Sequence, residues 1–248
     1  MFNFFKTPPI IEFLTEDFAV RKHMPVVPAS ELKPKEWNDL PPTVPNFANN
    51  GEKATARLCP AVGGFLDAGY IIRAWCDMKF EFVEDGRNGK MCRVTLSKEG
   101  GGVQGHDKFQ IGKINDQKFV RQIVKLMSPW WIKTAPGYSF YFMPLAFWQL
   151  PYQPVAGVID GDLNHMHCPI NLWVNGDANF EIKYGDPLVQ VVPFKRETSV
   201  TAIIRAVTDA DYLRESKLAS QLGQRWVGIA KFFSKKKHYK TIIKDIEL

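Results

Sequence analysis

The chain has 248 residues, of which 45% are hydrophobic and 23% charged, and its formal net charge is +6. This length and composition exclude a disordered protein and allow one large buried core, so we expect a single large domain, alone or with appendages. Part of the positive charge lies in a cluster of lysines near the C-terminus. The net charge therefore gives little support for a nucleic-acid partner.

Targeting and cysteine patterns predict a cytoplasmic protein with reduced thiols. The N-terminus lacks the charged start, apolar core and cleavage site of a signal peptide. No segment reaches about 18 consecutive apolar residues, so we expect no membrane span. The four cysteines form no C-x-x-C pair, which argues against a zinc ribbon and a disulfide scaffold; they are Cys59, Cys76, Cys92 and Cys168.

Residues 1–50 are rich in proline, which removes backbone donors and disfavours helix. The prolines are Pro8, Pro9, Pro25, Pro28, Pro34, Pro41, Pro42 and Pro45. This composition predicts an extended arm with turns. Its interspersed aromatic residues indicate that the arm packs against its own domain or a neighbouring subunit.

Residues 51–207 have the pattern of a mainly β core domain. From Tyr70 to Phe82 apolar and polar side chains alternate, which predicts a half-buried strand, and the following DGRNG predicts a hairpin turn. Apolar residues at helical spacing predict one short helix at about 116–128, stopped by Pro129. The later segments, separated by turn residues, predict short and mostly antiparallel strands in a compact barrel or clip.

Residues 208–248 have a different pattern. Thr208 and Asp211 have the spacing of a capping box, and apolar residues follow at roughly helical intervals. We expect a helix over about 208–232 and then a basic tail. Two interpretations of the tail stay open: a solvated helix end, or a contact with the phosphates of a nucleic acid or with a partner protein.

Three segments occur in an order that resembles a known superfamily. They are IKTAPGYSFYFMPL (132–145), AGVIDGD (156–162) and FEIKYGDPLVQVVPF (180–194). Together they are similar to the P-G, GVIDsD and GdriAQLv segments of the trimeric dUTPase and dCTP deaminase superfamily. The matching positions are Gly157, Val158, Ile159, Asp160, Asp162, Gly185, Asp186, Gln190 and Val191. The chain also resembles uncharacterised phage proteins.

The resemblance implies a β-clip fold, a homotrimer with active sites between subunits, and nucleotide chemistry. Asp160 would orient or activate water, while Mg²⁺ would neutralise the triphosphate. Asp160, Asp162, Gly157 and Gln190 become the candidate ligand-binding residues.

The chain departs from the family where the triphosphate should bind. Residues 143–146 read Met-Pro-Leu-Ala in place of the P-R-S motif, and Leu163 replaces the tyrosine that stacks on the deoxyribose. The C-terminus lacks the Arg-Gly-rich motif, and the Ser-Arg pair and general-base Glu of the deaminases are not evident. Without a bidentate Arg the site loses charge-assisted hydrogen bonds of about 1.5–3 kcal/mol each, so dUTPase activity should not survive.

The first functional hypothesis is therefore a non-catalytic assembly or binding protein with no cofactor, such as a phage virion component or a protein that binds virion or host proteins. Asp160 and Asp162 then serve as turn residues. One alternative is a divergent Mg²⁺-dependent pyrimidine nucleotide hydrolase or deaminase that uses Asp160. Another is a nucleotide or sugar binder without hydrolysis.

Two further groups offer weaker hypotheses. His165 and His167 lie two residues apart, so on a strand they would share a face and could bind a metal with Asp160 or Asp162. A dense aromatic group could stack bases or sugars, or fill a core or subunit interface. It comprises Trp130, Trp131, Tyr138, Phe140, Tyr141, Phe142, Phe147, Trp148 and Tyr152.

Overall fold

The computed structural model describes residues 10–46, 51–85, 89–98, 102–105, 122–164, 167–174 and 178–197, with single residues and short runs between 202 and 217. The chain forms two compact units, Met1–Glu197 and Thr198–Leu248. The protein is mainly β and its described strands pair antiparallel, as the sequence predicts.

The first unit contains four described sheets. In chain order the strands are β1 (Ile11–Leu14), β2 (Val27–Pro28), β3 (Thr43–Asn46), β4 (Gly51–Ala54), β5 (Tyr70–Arg73), β6 (Met78–Asp85), β7 (Gly89–Leu96), β8 (Val103–Gly105), β9 (Gln122–Thr134), β10 (Tyr138–Met143), β11 (Tyr152–Pro154), β12 (Gly157–Ile159), β13 (His167–Val174), β14 (Phe180–Ile182) and β15 (Pro187–Lys195). The α-helices are α1 (Phe18–His23), α2 (Lys35–Asp39) and α3 (Pro60–Asp67), and two 3-10 helices span Ala29–Glu31 and Ala56–Leu58. The first sheet has the order β1-β9-β13-β11, with β8 also on β9, and the second has the order β12-β10-β15-β5-β2. The third is β14-β6-β7, and β3 pairs with β4.

The three larger sheets contribute to one hydrophobic core. Along β9 the buried side chains alternate, and Leu126, Trp130 and Ile132 are at most 3% exposed. Phe80 of β6 stacks on Phe180 of β14 with ring centroids 4.5 Å apart. Because a slip of one residue would turn these side chains to solvent, burial of one face fixes the strand register.

The helix predicted at about 116–128 is wrong from Gln122 onwards, where the chain forms β9; residues 116–121 lie outside the described residues. The spacing of Ile123, Val124 and Met127 fits a helix over a short window, but the longer window alternates with a period of two. Pro129, predicted to stop a helix, lies inside the strand. It falls between the part of β9 that pairs with β8 and the part that pairs with β1, where its missing N–H removes no ladder bond to either strand.

The segment predicted as one strand from Tyr70 to Phe82 forms two strands, β5 and β6, in different sheets. The break comes at Ala74, whose N–H donates to the carbonyl of Asp186 at 2.7 Å. The register of β6 with β7 brings Asp85 opposite Gly89. The centre of the predicted DGRNG turn lies outside the described residues.

The N-terminal segment is part of the first compact unit. Strand β1 pairs with β9, and β2 pairs with β5, so this segment adds an edge to both large sheets. It also contains α1, which Asp17 caps by accepting from the N–H of Val20 at 3.0 Å, and α2, which buries Trp37. The predicted boundary at residue 50 does not divide compact units.

In the second unit, residues 209–211, 213, 214 and 217 are helical. The N–H of Thr208 donates to Oδ2 of Asp211 at 2.8 Å, and the N–H of Asp211 donates to Oγ1 of Thr208 at 3.4 Å. The predicted basic tail lies outside the described residues. Among the helices that the structure describes, none is long and apolar enough to cross a membrane.

Candidate functional site

Three chain segments meet at one end of the second sheet and bring the motif acids together. The first is the turn 135–137 between β9 and β10, where Tyr138 N–H donates to Ala135 C=O at 3.0 Å and Gly137 has a φ of 80°. The second is the turn after β12, which begins at Asp160. The third is Arg196, directly after β15, whose N–H donates to the carbonyl of Gly137 at 2.8 Å.

Asp160 is held by two neighbours. Its Oδ1 accepts from the hydroxyl of Ser139 at 2.5 Å and lies 2.9 Å from Nη1 of Arg196. Nη1 also lies 3.3 Å from Oγ of Ser139. The side chain of Asp160 is 47% exposed, so the acid lies at the rim of the cluster and has one face in solvent.

Asp162 occupies the inner part of the same cluster. Its Oδ2 accepts from the N–H of Gly137 at 2.9 Å and from Nη2 of Arg196 at 2.5 Å, and the side chain is only 11% exposed. Oδ1 is buried and has no hydrogen-bond partner among the described residues. Arg196 therefore bridges both acids with one guanidinium group, and the backbone of the neighbouring turn fixes the second acid.

The electrostatics of the cluster favour ionised acids. The hydrogen bond from Ser139, followed by that from Arg196, lowers the pKa of Asp160. Arg196 and then the N–H of Gly137 lower the pKa of Asp162, and the two acids raise the pKa of Arg196. A general base works best with a pKa near the working pH. A lowered pKa makes Asp160 a weaker proton acceptor for water.

Gly161, between the two acids, has a packing role. A Cβ atom at this position would lie 2.8 Å from Oγ1 and 2.9 Å from Cγ2 of Thr134, and 3.1 Å from Cε1 of Phe140. The Thr134 hydroxyl is itself engaged, donating to the carbonyl of Tyr138 at 2.7 Å. The turn thus lies directly on the β9–β10 hairpin, with no room for a side chain.

The other two predicted ligand-binding residues lie outside this cluster. Gln190 is 3% exposed, and its Nε2 donates to the carbonyls of Phe65 and Ala68 at 2.9 and 2.7 Å, so it caps the C-terminal end of α3. Gly157 is exposed on β12, and a Cβ atom there would meet nothing within 4 Å. The structure therefore brings Asp160 and Asp162 together, whereas the side chain of Gln190 binds the backbone at the end of α3 and has a structural role.

The region that replaces the phosphate-binding motif is apolar. Strand β10 ends at Met143, and Phe142 and Leu145 are 5% and 8% exposed. Leu163 is 69% exposed. None of these side chains can donate a hydrogen bond to phosphate.

His167 does not present a free ring nitrogen for a metal. Nε1–H of Trp131 donates to Nε2 of His167 at 2.6 Å, and Nδ1 of His167 lies 3.2 Å from the carbonyl of Ser128. Because an indole N–H can only donate, Nε2 is the acceptor and Nδ1 carries the proton. His165 lies outside the described residues, and in the described part of the chain no three His, Cys, Asp or Glu residues cluster as metal ligands.

The aromatic group divides between core and surface. Trp130, Phe140, Phe142 and Tyr152 are buried, and the Tyr152 hydroxyl donates to the carbonyl of Pro187 at 2.6 Å. Tyr141 is 41% exposed, and its ring stacks on Phe194 with centroids 4.3 Å apart. Four of the nine side chains are therefore buried in the core, while Tyr141 stays on the outer face of the second sheet and Phe147 is 51% exposed.

A cleft of about 380 Å³ lies at the first sheet, beside the unpaired part of β9. Its lining includes Glu16, Asp17, Lys98 and His167, but neither Asp160 nor Asp162. Asp17 and Lys98 form an ion pair across it, and Asp17 also caps α1. Asp17 and Lys98 in this cleft therefore have partners within the fold.

Two residues of the cluster, Ser139 and Arg196, were not predicted from the sequence. The resemblance places an arginine near Met143, whereas Arg196 lies beyond the end of the family motif. The available signal was its position directly after the last strand of the motif. The register of β15 on β10 pairs Lys195 with Tyr138 and so brings Arg196 beside Gly137. Comparison of the chain with protein-family models and with curated proteins gives no match.

Proposed function

We propose that this chain is a non-catalytic assembly or binding protein, with a β-clip core of the dUTPase type and a homotrimer as its working form. A phage virion component or a phage protein that binds other proteins fits this proposal. The supporting observation is the bridge from Arg196 to Asp160 and Asp162. The two motif acids are partners in a turn that joins three segments of the second sheet.

The cluster lacks the features that nucleotide hydrolysis needs. Asp160 has a lowered pKa and already accepts hydrogen bonds from Ser139 and Arg196. Arg196 uses both terminal nitrogens within the protein, so engaging a phosphate would break its bonds to the acids. The apolar side chains around Met143 add no cationic group, whereas a triphosphate requires several donors in a fixed geometry.

Phosphate release from a panel of pyrimidine and purine nucleoside triphosphates with Mg²⁺ tests the non-catalytic proposal. We expect no release above the rate without protein. Turnover that is lost in Asp160→Asn but kept in Glu181→Gln, a control on the third sheet, would establish the hydrolase alternative instead. Detection of ammonia from dCTP in the same mixtures tests the deaminase version.

Light scattering after gel filtration tests the assembly proposal. A trimer over a range of micromolar concentrations is the expected result, because proteins with this type of core bury strand edges between subunits. A monomer at every concentration would contradict it.

A further inference from the structure

Strand β12 is an edge strand that no other described strand covers. It pairs with β10 on one side only. Val158 is 54% exposed, and the surface beside Gly157 is open. Since the free edge of a sheet presents unpaired backbone N–H and C=O groups, it is a template for another strand.

The other described edge strands contain residues that discourage strand addition. Proline lies in β2, β3 and β11, and charged side chains lie in β1, β4, β7 and β14. On β7 the N–H of Cys92 also donates to Oε1 of Gln122 at 2.5 Å. Strand β8 has no charge or proline, but it exposes no large apolar side chain. Of the described edges, only β12 lacks both proline and charge and also exposes an apolar side chain.

An apolar row on the outer face of the second sheet ends at this edge. The strand registers place Val158 opposite Tyr141, and Tyr141 opposite Val192. Phe194 extends the row by stacking on Tyr141. A strand added beside β12 with an apolar residue opposite Val158 would continue the row.

We infer that two copies of this chain pair antiparallel through β12, around a two-fold axis at Val158. The inference rests on the proposed assembly function and names one of its contacts. Val158 then faces Val158 of the second copy, and the apolar rows of the two copies join. A two-fold contact uses the same patch on both subunits, so one exposed apolar edge is sufficient to form it.

The charges beside β12 support a second copy of the chain as the partner that pairs with this edge. In this register Asp160 of each copy lies opposite the uncharged Ala156 of the other, so no two carboxylates face each other. Arg196 also offsets the charge of Asp160 from within its own chain. Like charges directly opposite would destabilise a strand pair, and this register avoids them.

Gly157 has no explanation within a single chain. Its φ is not positive and its surroundings are open, so neither backbone conformation nor packing requires glycine. Glycine within a strand is unfavourable and often marks a close approach of another backbone. In the paired register Gly157 lies opposite Ile159 of the second copy, where the missing side chain leaves room for the isoleucine.

The contact uses three residues per strand and a short apolar row, so it is below the standard interface size of roughly 800 Å² per partner. We expect weak, concentration-dependent association. Alone, the contact gives a dimer; combined with the proposed trimer, it gives a hexamer with two-fold and three-fold axes.

Disulfide trapping in the full chain tests the register. Val158→Cys is made in a Cys59→Ser background, because Cys59 is exposed while the other native cysteines are buried. Oxidised glutathione supplies the oxidant, so two protein thiols become one disulfide while one glutathione disulfide is reduced. Opposed residues of an antiparallel pair have Cβ atoms about 4.5–5.5 Å apart, close to the span of a disulfide.

The matched control is Tyr184→Cys in the same background, since Tyr184 is 50% exposed and lies in the turn after β14. We expect the Val158→Cys dimer to form at least about tenfold faster than the control dimer, because pairing raises the local thiol concentration towards millimolar. Val158→Lys should weaken association in sedimentation velocity and leave the melting temperature unchanged.

Equal cross-linking rates for the two cysteine variants would overturn the inference. If the wild-type chain associates and Val158→Lys associates equally well, pairing through β12 is wrong and the assembly proposal stands. A wild-type chain that stays monomeric up to hundreds of micromolar overturns both.

Discussion

The two glycines of the GVIDGD motif should respond in opposite ways to the same substitution. In Gly161→Ala the new methyl group would lie 2.8 Å from Oγ1 of Thr134 and 3.1 Å from Cε1 of Phe140, within the packed β9–β10 hairpin. In Gly157→Ala the methyl group would meet nothing within 4 Å. Neither glycine has a positive φ, so the contrast isolates packing from backbone conformation.

The magnitudes follow from these contacts. Forcing a methyl group into a packed site costs about 1–3 kcal/mol, while replacing glycine by alanine at a compatible position stabilises by about 0.4–1 kcal/mol through the unfolded chain. For a unit of this size, 1 kcal/mol corresponds to about 2–4 °C in melting temperature. Gly161→Ala should therefore melt roughly 2–12 °C lower than the wild type, and Gly157→Ala up to about 4 °C higher.

Thermal unfolding followed by circular dichroism, at a concentration low enough to prevent the weak pairing through β12, measures both variants. A double variant with Thr134→Ala adds an internal check, because removing the crowded side chain should reduce the cost of Gly161→Ala. Equal melting temperatures for the two glycine variants would refute the packing role of the turn.

Three further predictions concern other residues of the candidate site. The hydrogen bonds from Ser139 and then Arg196 lower the pKa of Asp160 in the folded chain, and the hydrogen bond from Arg196 lowers the pKa of Asp162. The ionised acids therefore stabilise the fold above the unfolded pKa of about 4, and this stabilisation is lost as the pH falls through the lower folded pKa values. The unfolding free energy of Arg196→Met should therefore be lower at neutral pH and fall less steeply in acid, whereas an unchanged slope would contradict the bridge. Gln190→Met should lower the unfolding free energy in urea by about 1–3 kcal/mol, because it removes two hydrogen bonds worth about 0.5–1.5 kcal/mol each; an unaltered urea midpoint would show that the cap on α3 contributes nothing. Zn²⁺ should leave the melting temperatures of the wild type and His167→Ala unchanged, and a rise in the wild type alone would show that His167 binds metal.

Local chemistry was enough to predict the turns and strands around the site. Pro136 and Gly137 give a turn between β9 and β10, and Gly185, with a φ of 94°, gives a turn before β15. Proline fixes one backbone angle and glycine accepts a positive one, so each turn is determined by its own residues. The β class and the antiparallel pairing follow from the number and spacing of such short segments.

Properties that depend on distant pairing were not predictable in the same way. In the helix predicted at about 116–128, the spacing of Ile123, Val124 and Met127 satisfied a helical period, but pairing of β9 with β13 decides the outcome. Arg196 reaches Ser139 across 57 positions of sequence. Its place in the cluster depends on the register of β15 against β10, which a single sequence does not reveal.

The match to the GVIDGD motif can be explained without catalysis, so the match alone is not evidence for an enzymatic activity. Asp162 satisfies the N–H of Gly137 in the neighbouring turn, Gly161 allows close packing on Thr134, and Asp160 joins Ser139 to Arg196. Each of these three positions therefore has a structural requirement within one chain. A fold that keeps this junction of three segments needs the same residues whether or not a nucleotide ever binds. The motif thus supports a proposal about scaffold, while a proposal about activity needs the phosphate ligands, for which residues 143–146, in the place of the P-R-S motif, offer no side-chain donor.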